Sequence, residues 1–135
     1  MALNILVVDD SSVTRSMIVK SLKMAGVPLG EVIQASNGQE GLEKLDQNWI
    51  DLALIDINMP VMNGEVMIDR IRENPEWDSL PVIVVSTEGS KTRIDRLLEK
   101  DVRFVHKPFS PEIVRSVITE ITGIQNDFFS NESDF

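Results

Sequence analysis

The sequence predicts an α/β fold: a doubly wound sheet of five parallel strands with five helices covering its two faces. Three observations predict it. Short apolar runs alternate with helix-like stretches along the chain, 135 residues suit one domain, and the apolar runs end on polar residues as strands feeding loops do.

The first strand is Ile5-Leu6-Val7-Val8. The helix after it carries Val13, Met17, Ile18, Leu22 and Ala25 at helical spacing, read as its buried face, and Gly26 ends it. Val32-Ile33-Gln34-Ala35 is the second strand, and Leu42 and Leu45 anchor the second helix. Leu52-Ala53-Leu54-Ile55 is the third strand, followed by a helix anchored by Met67, Ile68 and Ile71. Val82-Ile83-Val84-Val85 is the fourth. The helix near 90–100 has only Ile94, Leu97 and Leu98 amid charges, so its packing is expected to be the loosest. Val102-Arg103-Phe104-Val105 is a weaker fifth strand. In the last helix Ile113, Val114, Val117, Ile118 and Ile121 repeat the apolar spacing, with Ser110 as N-cap and Pro111 at the first helical position. Residues 1–123 thus form one domain. Residues 124–135 are an acidic, aromatic tail without periodicity, expected to be flexible, with a docking segment led by Phe128 and Phe129 as the alternative.

Acidic residues outnumber basic ones 22 to 13, a formal charge of -9, which disfavours DNA or RNA as a partner. Zero cysteines exclude disulfides and thiolate metal sites. No run reaches the roughly 18 apolar residues of a membrane span, and MALNILVVDD lacks the features of a secretory leader. A soluble, cytoplasmic protein without membrane insertion is expected.

In a doubly wound sheet ligands bind beyond the carboxyl ends of the strands. There the sequence places Asp9-Asp10, Asp56, Ser86-Thr87 and His106-Lys107-Pro108. Each has an ordinary explanation: Asp10, Ser11 or Ser12 could cap the first helix, Asn63-Gly64 could be only a turn, Ser86 an N-cap, Lys107 a solvated charge and His106 a bystander. Together they resist it, because strand ends chosen for structure alone have no reason to gather three acids and a lysine at one rim. Crowded carboxylates repel unless a cation neutralises them, and hard oxygen donors without Cys or His select Mg²⁺, with Mn²⁺ as its substitute. An acidic cation site beside a lysine suits phosphoryl transfer, with the central carboxylate as acceptor.

Asp9-Asp10, the loop Asp56-Ile57-Asn58-Met59-Pro60-Val61-Met62-Asn63-Gly64, Ser86 and Lys107-Pro108-Phe109 stand in an order and spacing that resemble the receiver domain of bacterial two-component response regulators, over about residues 3–123. The resemblance implies a flavodoxin-like receiver fold with strand order 2-1-3-4-5. It also implies Asp56 as phosphoacceptor, Mg²⁺ held by Asp10, Asp56 and the Asn58 carbonyl with Asp9 acting mainly through water, and a phosphoryl group met by Ser86 and Lys107. The Lys107–Pro108 bond is implied to be cis, Phe104 to be the switch aromatic beside Ser86, and Asn58 and Glu88 to tune hydrolysis. A sensor histidine kinase would be the donor, and a target protein would read the surface of the fourth helix, fifth strand and fifth helix. The protein would be no enzyme in the ordinary sense, catalysing only its own phosphorylation and dephosphorylation.

Some positions depart from the family pattern. Ser86 replaces the commoner Thr, losing a methyl group that contributes about 0.8 kcal/mol when buried. Thr87 stands where Ala or Gly is usual, Lys100 near a usual Gly, Gly41 for a common Ala and Ile57 for a Trp next to Asp56, so Trp49 and Trp77 are expected to report metal binding poorly. The single-domain length looks most like chemotaxis-type regulators, and a phosphorelay intermediate is the alternative. A Mg²⁺-dependent aspartyl-phosphate phosphohydrolase is less favoured: its signature wants an Asp where Asn58 stands.

Overall fold

A computed structural model describes residues 2–123. The elements are β1 (Leu3–Val8), α1 (Ser12–Met24), β2 (Leu29–Ala35), α2 (Gly38–Gln47), β3 (Leu52–Ile55), α3 (Gly64–Glu73), β4 (Val82–Ser86), α4 (Lys91–Leu98), β5 (Arg103–His106) and α5 (Pro111–Thr122). The strands form one parallel sheet in the order β2-β1-β3-β4-β5, which is the expected order. The tail at 124–135, and the two readings of it, lie outside the described residues.

Two cores follow from the period of two along each strand. Ile5, Val7, Leu52 and Leu54 point to the face covered by α1 and α5, where Ile18, Leu22, Val114 and Ile118 meet them. Leu6, Val8, Ala53 and Ile55 point to the opposite face, against Leu45, Met67, Ile68, Ile71 and Leu97. Burial on both faces is why the central strands read as continuous apolar runs.

Capping explains the helix starts. Ser11, Asn37, Asn63, Ser90 and Ser110 each accept a backbone N–H from the first turn of α1 to α5 respectively. Asn63 is therefore more than a turn residue, and Ser90, not Ser86, caps α4. Gly26, at φ 77, closes the turn after α1.

The expected apolar face of α1 needs correction: Val13 is 68% exposed and Met17 61%, whereas Ile18, Leu22 and Ala25 are buried. At about 100° per residue, Leu22 and Ala25 lie close to Ile18 on the helix surface, while Met17 and Val13 fall roughly a quarter turn or more to the side. The buried stripe is narrower than the sequence pattern.

Candidate functional site

The carboxyl ends of β1, β3, β4 and β5 deliver the site. Asp9 follows β1 and is buried, Asp10 is exposed beside it, Asp56 follows β3 at 8% exposure, and Ser86, the last residue of β4, is fully buried. Lys107 follows β5. Its Nζ lies 3.0 Å from Asp9 Oδ2 and 3.7 Å from Asp56 Oδ2, so one ammonium bridges two carboxylates. Carboxylate oxygens of Asp9, Asp10 and Asp56 lie within 4.8 Å of one another.

Backbone bonds fix these side chains. The Ile57 N–H donates to Asp56 Oδ1 at 2.8 Å and the Ser11 N–H to Asp9 Oδ1 at 2.9 Å. Each acid so keeps one oxygen for Lys107 or a cation. The cap of α1 comes from Ser11 Oγ, so capping does not account for Asp10. Arg15, which sequence reasoning missed, donates to the Asp9 carbonyl at 2.6 Å and to Gln34 Oε1 at 2.9 Å, tying α1 to the turn after β1 and to β2. The signal was a cation one helical turn past the cap. The Lys107–Pro108 bond is cis, and the Phe109 carbonyl accepts from Ser21 Oγ at 3.1 Å.

Burial pushes the Asp56 carboxyl above its ordinary range; Lys107 pulls it back, Asp9 pushes further, the Ile57 N–H pulls back, and Asp10 pushes again. One ammonium against three acids leaves a surplus of negative charge when all are ionised. Oxygen donors of this kind fit a hard divalent cation, and the carboxylates of Asp9, Asp10 and Asp56 lie close enough together that they could hold one.

The loop from Asp56 to Gly64 is tightly closed. Gly64 N–H donates to the Ile57 carbonyl at 2.8 Å, and Met62 N–H to the Pro60 carbonyl at 2.7 Å. The latter closes a γ-turn on Val61, whose φ of 68 is unusual for a β-branched residue. With Val61 82% exposed, nothing in packing offsets the strain. Val61→Gly is expected to stabilise the protein by about 1 kcal/mol in chemical denaturation.

The remaining predicted residues lie around this centre. Asn58 is exposed just past Asp56. Glu88 turns away from the acids: its carboxylate accepts from Arg93 at 2.9 Å and from the Ser90 N–H at 3.0 Å, while its own N–H donates to Ser86 Oγ at 3.1 Å. Phe104 is partly buried, its ring meeting His106 edge-on at 4.7 Å, so His106 neighbours the aromatic rather than standing apart. A hollow of about 600 Å³ lined by Trp49, Trp77, Ile50 and Pro81 lies at the opposite, amino-terminal end of the strands. The tryptophans are therefore remote from the acids.

The family description that matches the chain, a response regulator receiver domain, covers residues 5–119. The chain belongs to the response regulator receiver family. As a receiver it is 35% identical over 123 residues to the chemotaxis protein CheY1 of Helicobacter pylori, covering 90% of this chain and 98% of that one. It is 32% identical to the CheY homologue of Campylobacter jejuni, covering 90% and 93%. Among solved structures, Vibrio cholerae CheY4 superposes with a TM-score of 0.78 at 29% identity, covering 90% of this chain and 99% of that one. The protein is thus a receiver of the two-component signalling type, homologous to chemotaxis proteins.

Proposed function

We propose that this receiver accepts a phosphoryl group on Asp56 from a phosphohistidine of a sensor kinase, with Mg²⁺ bound, and passes the signal to a partner protein through the α4-β5-α5 face. The observation that carries this reading is the Asp9, Asp10, Asp56 cluster bridged by Lys107. Asp56 Oδ2, the oxygen not bound to the Ile57 N–H, would attack phosphorus; the P–N bond to imidazole breaks as the P–O bond forms. Lys107 would move from Asp9 toward the arriving phosphoryl oxygens, and the Ser86 hydroxyl would donate to one of them. Bound at Asp10, Asp56 and the Asn58 carbonyl, with Asp9 acting through water, Mg²⁺ would neutralise charge on the transferred group. Asn58 and Glu88 would set the hydrolysis rate, and Phe104 would move as Ser86 is drawn in. Residues 1–123 would form the receiver unit.

A kinase donor is supported by the sensor histidine kinase CheAY of Helicobacter pylori, 34% identical over 126 residues that make up 15% of that protein. A chemotaxis setting is favoured by the CheY relatives. A relay is the second reading; the sensor kinase/phosphatase LuxN of Vibrio harveyi is also similar, 32% identical over 115 residues, 13% of its length. A cytoplasmic location follows from a kinase donor; among the described residues no helix is long and apolar enough to cross a membrane. Incubation with a radiolabelled histidine kinase and Mg²⁺, then capture of partners with and without a phosphoryl mimic, tests the reading. Label should appear on Asp56 and the captured set should change; label at another residue would refute it. Onward transfer to a histidine-containing carrier would favour the relay.

Thr87, exposed beside Ser86, offers a second test. Its side chain narrows the approach of small donors, so Thr87→Ala should label several-fold faster with acetyl phosphate. Faster labelling of the unmodified protein would contradict this.

A further inference from the structure

Helix α4 is held differently from its neighbours. It fully buries only Leu97, whereas α3 buries Met67, Ile68 and Ile71. In place of apolar contact, three cations along α4 and at its end meet acids on adjoining elements, while Lys91 pairs with Asp95 within the helix. Arg93 Nη1 lies 2.9 Å from Glu88 in the β4–α4 loop, Arg96 is bidentate to Glu65 at 2.6 and 2.9 Å, and Lys100 Nζ lies 2.7 Å from Asp69. Glu65 and Asp69 stand one turn apart on α3, and Arg93, Arg96 and Lys100 recur at spacings of three and four, so two faces of opposite charge confront each other.

The rungs share one field. Arg96 holds the Glu65 carboxyl below its ordinary range against the opposing effect of burial, with Lys100 and Arg93 adding to the pull. The first rung also reaches the phosphoacceptor site, because Glu88 gives its N–H to Ser86 Oγ and its carboxylate to Arg93. One residue thereby joins the buried hydroxyl to α4. Arg93 Nε is buried without a hydrogen bond among the described residues.

Resting on the reading of Asp56 as phosphoacceptor, we propose that Arg93 is a positioning residue for the switch: through Glu88 it couples Ser86 to α4, and the ion-pair ladder it heads governs how α4 responds to a phosphoryl group. When the phosphoryl group draws on the Ser86 hydroxyl, the loop carrying Glu88 moves and takes the Arg93 rung with it. Apolar packing would resist such a shift over several turns; Leu97 alone leaves α4 to the ladder. Ion pairs at a partly exposed seam weaken as salt shortens the screening length to about 8 Å at 0.15 M, which buried apolar contacts do not.

The test is hydrogen exchange of residues 91–98 in wild type, Arg93→Ala and Arg93→Lys, with and without Mg²⁺ and beryllofluoride as phosphoryl mimic. Fluorine NMR reads occupancy of the mimic separately, so failure to bind counts against the Asp56 reading and not against the ladder. At equal occupancy, the mimic should change α4 exchange in wild type and in Arg93→Lys, and the change in Arg93→Ala should shrink to about a fifth or less. Raising NaCl from about 0.05 to about 0.5 M should speed α4 exchange about fivefold relative to α1. An α4 response in Arg93→Ala equal to wild type, or α4 exchange indifferent to salt, would overturn the proposal.

Discussion

Asp56→Asn is expected to reduce phosphoryl labelling to background and, at neutral pH without Mg²⁺, to raise the melting temperature. The loss of label follows from the proposed role of Asp56 as phosphoacceptor, because Asn lacks the carboxylate oxygen that would attack phosphorus. The gain in stability follows from linkage: burial raises the Asp56 carboxyl above its ordinary value, so the folded state binds that proton more tightly than the unfolded state. The ionised group therefore costs stability at pH 7. That cost is fully present above the raised folded value, fades as pH falls through it and is gone below the ordinary value. Lys107 keeps its 3.0 Å contact with Asp9 in the variant, so the substitution leaves no unpaired ammonium. Thermal melts from pH 7 down to pH 3 should show the variant's advantage shrinking, at roughly 3–5 °C of Tm per kcal/mol for a domain of this size. Added Mg²⁺ should stabilise wild type by mass action and the variant much less. A variant melting below wild type at pH 7 would contradict this account of the site.

Gly64→Ala is expected to destabilise the fold by about 3 kcal/mol or more, among the larger effects of a single methyl group. A Cβ at Gly64 would run into the backbone carbonyl of Asp56 and stand 3.0 Å from Ile57 Cα. Backbone cannot rotate aside as a side chain can. Relief would require shifting the Asp56 peptide or losing the Gly64 bond to the Ile57 carbonyl, and either moves the carboxylate relative to Lys107. Urea denaturation and phosphotransfer rates measured together should fall in parallel. Labelling at the wild-type rate would show that the loop tolerates the shift.

Gly41 shows how such a position escapes sequence reading. As a Gly in place of a common Ala it reads as a local weakness of α2. In the structure an added Cβ would meet the Met67 side chain at 2.6 Å and Val8 Cγ2 at 3.2 Å. Its small size lets α2 lie close to β1 and α3, a constraint between distant segments that helix propensity does not contain. Arg15 escaped for a related reason, since its partners are the Asp9 carbonyl and Gln34, one of them nineteen residues away. The pairs Arg96–Glu65 and Lys100–Asp69 were likewise unreadable, both spanning 31 residues. The loose apolar packing expected of α4 was legible in its composition; what replaces that packing was not.

The alternation of strands and helices and the identity of the residues at the strand ends were legible in the chain, because strand periodicity, apolar run length and capping chemistry are local properties. The tertiary structure decided which oxygens face Lys107, how narrow the buried stripe of α1 is, and which acids hold α4. Those outcomes depend on distances between segments far apart in sequence, set only when both faces of the sheet are packed.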